Sequence, residues 1–206
     1  MILAVFTSSF LFGVVSAHEL VADQDPYKWS IIVNGRADLK INGDLLNSEY
    51  SSYFNIVAYT WPSFSSKVAT SIESFSYSNV DFCAASTSWW NNQFQDPWVR
   101  QDVLAITLSS TYNSYGINYI TYSPIYMTPY TDNFNYMPDG ITKHGDPQGH
   151  KVKTMVHEIG HVLGLGHSDR YNYNPLPAEV TSIMRNGYVP YTWPQAHDID
   201  DLANKY

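Results

Sequence analysis

Apolar residues recur at intervals of three and four between residues 150 and 163, a spacing that is typical of a helix with one buried face. The repeated positions are Val152, Met155, Val156, Ile159, Val162 and Leu163. Residues at these intervals lie on one side of an α-helix, so the pattern predicts a helix packed against the core. Gly149 lies near its start. Gly164 follows the last apolar residue and is expected to end the helix, because glycine takes positive φ with little strain.

Upstream of this helix, shorter patterns predict a hairpin, a strand and a second helix. Residues 29–41 alternate apolar side chains around Asn34-Gly35, the strongest short signal for a β-hairpin. Residues 55–60 are predicted to form a strand, and the Trp-Pro-Ser sequence at 61–63 is expected to open a helix. One face of that helix would carry Phe64, Val68, Ile72 and Phe75.

Three further apolar segments, at residues 102–109, 116–122 and 125–128, are expected to be strands. A polar segment follows at residues 131–149. Oxygen-rich loops of this kind can hold Ca²⁺, although a solvated loop without a metal is the favoured interpretation. A last helix is expected from about Ala196.

The length and composition indicate one folded domain. The chain has 206 residues, of which 44% are hydrophobic and 16% aromatic, and this excludes a disordered chain. The formal net charge of −8 argues against nucleic acid as a partner, because phosphate binding requires a basic patch. The single cysteine, Cys83, allows no internal disulfide.

The first 17 residues are apolar and end in Val15-Ser16-Ala17, which resembles a secretory signal with a small-residue cleavage site. No basic residue precedes the apolar stretch, and a buried N-terminal strand or helix is the alternative. The stretch is too short to span a bilayer. We expect residues 1–17 to be a signal peptide, 18–28 a linker or short pro-segment, and 29–206 the domain of a secreted protein with no stable membrane insertion after signal removal.

The residues that carry chemistry are concentrated between His157 and His167. His157 and His161 are four residues apart, so both imidazoles can point from one helix face to a shared Zn²⁺. Glu158 would lean beside the metal, where a general base is needed for a water molecule that the metal acidifies. His167 could reach the same point if the chain turns at Gly164. Three histidines leave a fourth position open, which is typical of catalytic rather than structural zinc.

Two histidines at this spacing also occur in unrelated proteins, but the glycine and the third histidine make the pattern more specific. The extended motif resembles that of the metzincin zinc metalloproteases, and it is most similar to the matrixin (matrix metalloproteinase-like) family. Met184, in Thr-Ser-Ile-Met, matches the methionine turn of that family, a soft apolar support beneath the metal. Ser168 and residues 194–202 also resemble matrixins, although His197 stands where the family commonly has the first of two acids.

The resemblance implies an α/β (α+β) metzincin fold, in which a twisted, mostly parallel sheet carries an active-site helix and a backing helix. An upper subdomain would extend to about residue 164, and a lower subdomain at 165–206 would end in a helix. By the family's element order, residues 116–122 would form the edge strand, to which an extended peptide could pair. One wall of the substrate pocket would include Tyr188, Pro190 and Tyr191, although the Pro-x-Tyr element of the family does not align cleanly with them.

Together these features predict a secreted zinc-dependent endopeptidase that acts on protein or peptide substrates as a monomer. Zn²⁺ would be held by His157, His161 and His167, and Glu158 would take a proton from water and pass it to the leaving amine. The alternatives are a catalytically inert metal-binding interaction module and a zinc hydrolase of a non-protein amide. The intact Glu158 argues against the inert module, because binding alone requires no base at that position.

Two features could keep such an enzyme latent. The hairpin at 29–41 could belong to the catalytic domain or to an inhibitory extension, and in the second case Asp38 or Asp44 could block the metal. Cys83 could plug the zinc, as pro-segment cysteines do in many matrixins. Those cysteines lie in a Pro-Arg-Cys context that Cys83 lacks, so a buried, inert thiol is the favoured interpretation.

Overall fold

The computed structural model describes residues 27–136, 145–168, 181–185 and 189–206. The predicted signal peptide and residues 18–26 of the predicted linker lie outside these ranges. Tyr27 and Lys28, the last two residues of that linker, belong to the first strand. Among the helices that the structure describes, none has the length and apolar character needed to cross a bilayer.

The described residues form eight strands and five α-helices. The strands are β1 (Tyr27–Trp29), β2 (Ile32–Val33), β3 (Arg36–Leu45), β4 (Val68–Ile72), β5 (Val80–Ala84), β6 (Ala105–Thr107), β7 (Ser110–Ser114) and β8 (Ile117–Met127). The α-helices are α1 (Ser48–Phe64), α2 (Thr87–Gln93), α3 (Pro97–Asp102), α4 (Pro147–Val162) and α5 (Ala196–Lys205). A 3₁₀ helix spans Thr131–Asn135.

The strands join in one mixed sheet in which parallel pairings predominate. The longest strand, β8, pairs in parallel with β1 and β5 and antiparallel with β6 and β7. The other long strand, β3, pairs in parallel with β4 and β5 and antiparallel with β2. The predicted class, a mixed α/β fold with a mostly parallel sheet, is confirmed.

The hairpin predicted around Asn34-Gly35 is confirmed. The two residues have φ values of 52° and 71°, and two positive φ values are what a two-residue type I′ turn requires. The second arm of the hairpin is β3, in which Ala37, Leu39 and Ile41 are fully buried. The hairpin therefore belongs to the main sheet and not to a separate extension.

Two predictions between residues 48 and 75 are wrong. Residues 55–60, predicted as a strand, lie inside α1, and residues 68–72, predicted as helix, form β4. Proline is common in the first turn of a helix, but Pro62 lies in the last turn of α1. The buried side chains of α1 recur at helical intervals and are Tyr50, Phe54, Val57, Ala58 and Trp61.

The predicted edge strand is also wrong. Residues 116–122 and 125–128 are not two strands, because β8 runs through both segments and lies inside the sheet. Pro124, between them, has no N–H to donate, but its carbonyl accepts a hydrogen bond from the Leu108 amide at 3.0 Å, so the pairing continues. Among the described strands, β6 and β7 each pair only with β8, so these two strands form the edge of the sheet beside β8.

The core lies between the sheet and the two longest helices, α1 and α4. The indole N–H of Trp61 in α1 donates to the Val156 carbonyl of α4 at 2.8 Å, and both side chains are fully buried. This bond fixes α1 against α4, the helix that carries the motif. Cys83 is buried in β5, and burial raises the pKa of its thiol to about 11, which agrees with the predicted inert thiol.

Candidate metal centre

Three histidine side chains meet at one buried place. Among the described residues, the group of His157, His161 and His167 is the one in which three potential metal ligands converge, with ligating atoms within 4.8 Å of one another. The Nε2 atoms of His157 and His167 are 3.0 Å apart. Tetrahedral zinc with bonds of roughly 2.0–2.1 Å would separate its ligand atoms by about 3.3 Å. The His157–His167 pair is close to this separation, and the cluster could hold a metal ion once the more distant ligand atoms move closer.

Helix α4 supplies the first two histidines. Its start is fixed by Asp146, whose side chain accepts a hydrogen bond from the Gly149 amide at 2.9 Å, and Pro147 occupies the first turn. Every residue from Lys153 to Val162 is buried, so the ligand face lies in the interior rather than on the surface. The predicted helix is confirmed, with Gly149 in its first turn.

The predicted turn at Gly164 is confirmed as well. Gly164 has φ of 77°, its amide donates to the His161 carbonyl at 2.9 Å, and the Leu165 amide donates to the Gly160 carbonyl at 2.9 Å. These bonds satisfy carbonyls at the end of α4. A Cβ at Gly164 would lie 2.5 Å from the Tyr27 carbonyl oxygen, so glycine is required for space as well as for φ.

Backbone carbonyls orient two of the imidazole rings. The Nδ1 of His157 lies 2.8 Å from the Ile183 carbonyl, and the Nδ1 of His161 lies 2.8 Å from the Leu165 carbonyl. A carbonyl can only accept, so each Nδ1 carries the hydrogen and each Nε2 keeps its lone pair. The Nε2 of His161 is buried and has no hydrogen-bond partner among the described residues. A metal ion would satisfy this atom, so the residues fit the predicted group.

The environment of His157 favours a neutral imidazole. Burial is the main cause that lowers the pKa of His157 well below its ordinary value of 6.5, and the charge of Lys153 and the two other histidines lower it further. The hydrogen bond to Ile183 opposes this shift. At pH 7 the ring is therefore uncharged, and the uncharged ring is the form that binds a metal.

Glu158 is buried in the same part of α4, with 3% of its surface exposed. The hydroxyl of Thr107, at the end of β6, donates to its Oε2 at 2.6 Å. The two residues are 51 positions apart in the chain. Sequence reasoning identified Glu158 and missed Thr107, because a threonine in a core strand carries no local sign of contact with a distant helix.

The structure places Met184 against α4. A Cβ at Gly160, between the two helical histidines, would clash with the Met184 sulfur, so this glycine lets the methionine approach the helix. The Met184 carbonyl accepts a hydrogen bond from the Ser168 amide at 3.1 Å. Met184 thus contacts both the helix and the residue that follows the third histidine.

The segment before Met184 is held by the last helix, which begins at Ala196 as predicted. Asp198 of α5 is 1% exposed. Its carboxylate accepts three hydrogen bonds, from the Ser182 hydroxyl and from the Ile183 and Gln195 amides. Because the Ile183 carbonyl contacts His157, a chain of hydrogen bonds connects α5 with the first predicted ligand. Sequence reasoning gave Asp198 no role in the site.

Of the remaining predicted site residues, Pro190 and Tyr191 lie within the described ranges. Tyr188 lies outside them. Pro190 is exposed, and the hydroxyl of Tyr191 accepts a hydrogen bond from the Ser182 amide at 3.3 Å. Tyr191 thus supports the segment that Asp198 also holds, and a role in a substrate pocket stays a prediction.

Among the described residues, those considered for calcium binding or for latency are not part of the histidine cluster. In the described part of residues 131–149, no three His, Cys, Asp or Glu side chains converge, and Asp146 caps α4. His144 lies outside the described ranges, so the calcium prediction stays a prediction. The Asp44 carboxylate accepts a hydrogen bond from Asn42 at 2.8 Å, and neither it nor Asp38 belongs to the converging group.

Comparison with known proteins assigns no family to the chain. No family model matches it, and no curated protein matches its sequence. The functional interpretation of the site therefore depends on the residues and their geometry.

Proposed function

We propose that this protein is a secreted zinc-dependent endopeptidase. The observation that carries the proposal is the convergence of three buried histidines with a buried glutamate next to the first of them. Imidazole suits zinc among the common metals, and three histidines with a fourth position open are typical of catalytic zinc. Burying a carboxylate is costly, and a site that only binds metal gains nothing from one beside its ligands.

The residues of the site would have separate roles. His157, His161 and His167 would hold the ion, and the carbonyl partners of the first two would fix their rings. When bound, zinc would polarise the scissile carbonyl and lower the pKa of water to about 7. Glu158 would accept the proton of the attacking water and deliver it to the leaving amine.

The edge formed by β6 and β7 supports a peptide substrate. Each of these strands pairs only with β8 among the described strands, so the main-chain groups on the other side can pair with an extended chain. Thr107 ends β6 and contacts Glu158, so a peptide along this edge would run close to the general base. In this proposal β6 and β7 replace residues 116–122 as the docking strand.

The resemblance to metzincins and matrixins supports the same function. It rests on the motif from His157 to His167, on Met184 packed against α4, and on the mixed sheet with two long helices. Secretion is supported by the apolar residues 1–17 and by the net charge of −8. Membership of that family is part of the proposal.

The Glu158→Gln variant tests the assigned chemistry. Glutamine keeps the size of the side chain and an oxygen that can accept the Thr107 hydrogen bond, but it is a poor base. We expect zinc content to stay at one ion per chain and casein cleavage to fall by about 100-fold or more, the usual contribution of a general base. Chelation should abolish cleavage by the unmodified protein, and added zinc should restore it.

The matched control is His197→Gln. His197 lies on α5, contacts Asp201 at 3.3 Å and is not part of the cluster, so zinc content and cleavage should both be retained. Cleavage by Glu158→Gln at the unmodified rate would refute the proposed mechanism. One bound zinc without cleavage of casein or of a peptide library would favour the inert module, and cleavage of small amides alone would favour the third alternative.

A further inference from the structure

Thr107 occupies a rigid position beside the predicted general base. It is the last residue of β6 and pairs with Ile125 in the interior strand β8. Thr107 is 7% exposed, and α4 packs on β6. Threonine is also stiff at χ1, because its β-carbon is branched. The hydroxyl therefore has a fixed place relative to the helix that carries Glu158.

The direction of the hydrogen bond follows from its chemistry. The Thr107 Oγ1 lies 2.6 Å from Oε2 of Glu158 and 3.3 Å from the Glu158 carbonyl oxygen. A hydroxyl has one hydrogen, and a distance of about 2.5–2.7 Å is typical of a bond from O–H to a carboxylate. A carboxylate that acts as a base has no proton to donate, so Thr107 is the donor and Oε2 the acceptor.

This bond gives the two carboxylate oxygens of Glu158 different roles. Oε2 is engaged by Thr107, and Oε1 has no comparable donor to restrain it among the described contacts of Glu158. A glutamate side chain has three rotatable bonds, and a general base acts well only when its oxygen is held within hydrogen-bond reach of the proton it takes. Fixing one oxygen fixes the orientation of the other.

We propose that Thr107 is a positioning residue that holds Glu158 in the orientation needed to accept a proton through Oε1. The inference rests on the proposed function for its catalytic consequence, but the orientation itself is a property of the chain. It also connects the docking edge to the chemistry, because the strand proposed to pair with the substrate would hold the base.

Two substitutions separate the hydroxyl from the shape of the side chain. Thr107→Val keeps the branched shape and removes the donor, whereas Thr107→Ser keeps the donor and removes a methyl group. In casein or peptide cleavage we expect Thr107→Val to lower kcat about tenfold or more with little change in KM, because misplacement of a catalytic group acts on the chemical step. Zinc content should be unchanged, and Thr107→Ser should remain within about threefold of the unmodified protein.

A double substitution separates positioning from packing. If Thr107 acts through Glu158, Thr107→Val should lower the residual cleavage by Glu158→Gln less than about twofold. A loss of the same factor in both backgrounds, or an equal loss in Thr107→Ser and Thr107→Val, would overturn the inference. So would wild-type cleavage by Thr107→Val.

Crystal structures of the zinc-loaded protein give a readout that does not depend on activity. We expect one Glu158 conformer bonded to Thr107 in the unmodified protein and more than one carboxylate orientation in Thr107→Val. An unchanged single conformer in Thr107→Val would overturn the inference. If the unmodified protein cleaves no peptide and the conformers still differ as expected, the proposed function fails while the positioning role stands.

Discussion

Substitution of Asp198 should weaken a metal site to which Asp198 contributes no ligand. Asp198 is 1% exposed. Its Oδ2 accepts hydrogen bonds from the Ile183 amide at 2.9 Å and the Gln195 amide at 2.7 Å, and its Oδ1 accepts one from the Ser182 hydroxyl. Because Ile183 presents its carbonyl to His157, a shift of this segment moves the partner that orients the first histidine.

The size of the effect depends on the replacement. Asparagine can keep its oxygen on the two amides and turn its amino group toward the Ser182 hydroxyl, so Asp198→Asn loses mainly the charge in its hydrogen bonds, about 1–3 kcal/mol of the free energy of unfolding. Asp198→Ala leaves two backbone amides without their acceptor and should cost about 3–5 kcal/mol. Loss of the supporting partner should weaken zinc binding by about 10–100-fold in the alanine variant.

Urea unfolding of the metal-free protein measures the first effect, and titration against a competing chelator measures the second. Asp200→Asn is the matched control, because Asp200 lies on the same helix and is exposed. If Asp198→Ala matched this control in both measurements, the inference that α5 supports the first ligand would be wrong.

Two other predictions concern the turn at Gly164 and the protonation of His157. Gly164→Ala should lower the free energy of unfolding by about 1–2 kcal/mol because of the positive φ, and by more because of the contact with the Tyr27 carbonyl. Gly116 also has a positive φ but has open space around its Cβ, so Gly116→Ala should show only the first loss. Equal losses in urea unfolding would contradict this prediction. In the metal-free protein the folded-state pKa of His157 lies below the unfolded value of 6.5, so the unfolded chain binds that proton first. The free energy of unfolding should therefore fall as pH drops below about 6.5, by up to about 1.4 kcal/mol per pH unit, and His157→Gln should reduce that slope.

The parts of the molecule that could be predicted from sequence are those whose causes lie in contiguous residues. The helix α4 follows from a stripe of apolar positions, and the turn after it follows from Gly164. The hairpin follows from Asn34-Gly35, because both residues tolerate positive φ. In each case one short segment contains both the signal and the structure that it specifies.

The predictions that failed depended on tertiary pairing. Pro62 was expected to open a helix, but it lies in the last turn of α1. Residues 116–122 and 125–128 were expected to be separate strands, but β8 continues through Pro124, whose carbonyl is paired with the Leu108 amide. Thr107 and Asp198 were missed because their partners lie far away in the chain. A local pattern identifies the residues of a site better than the residues that hold them in place.

The end of α4 illustrates how distant segments complete the motif. Lys205 Nζ donates to the Gly164 carbonyl, and the Tyr206 hydroxyl donates to the Leu163 carbonyl at 2.9 Å while it accepts the Trp29 amide at 2.8 Å. Two carbonyls at the end of α4 thus accept hydrogen bonds from the side chains of Lys205, the last residue of α5, and of Tyr206, which follows it. Tyr206 also bonds to Trp29 and so connects β1 to the end of α4. A chain with an intact motif but without α5 would lose these donors and also the Asp198 carboxylate. The turn that returns His167 and the carbonyl that orients the first histidine would then both lack support, so the motif alone does not suffice to build the site.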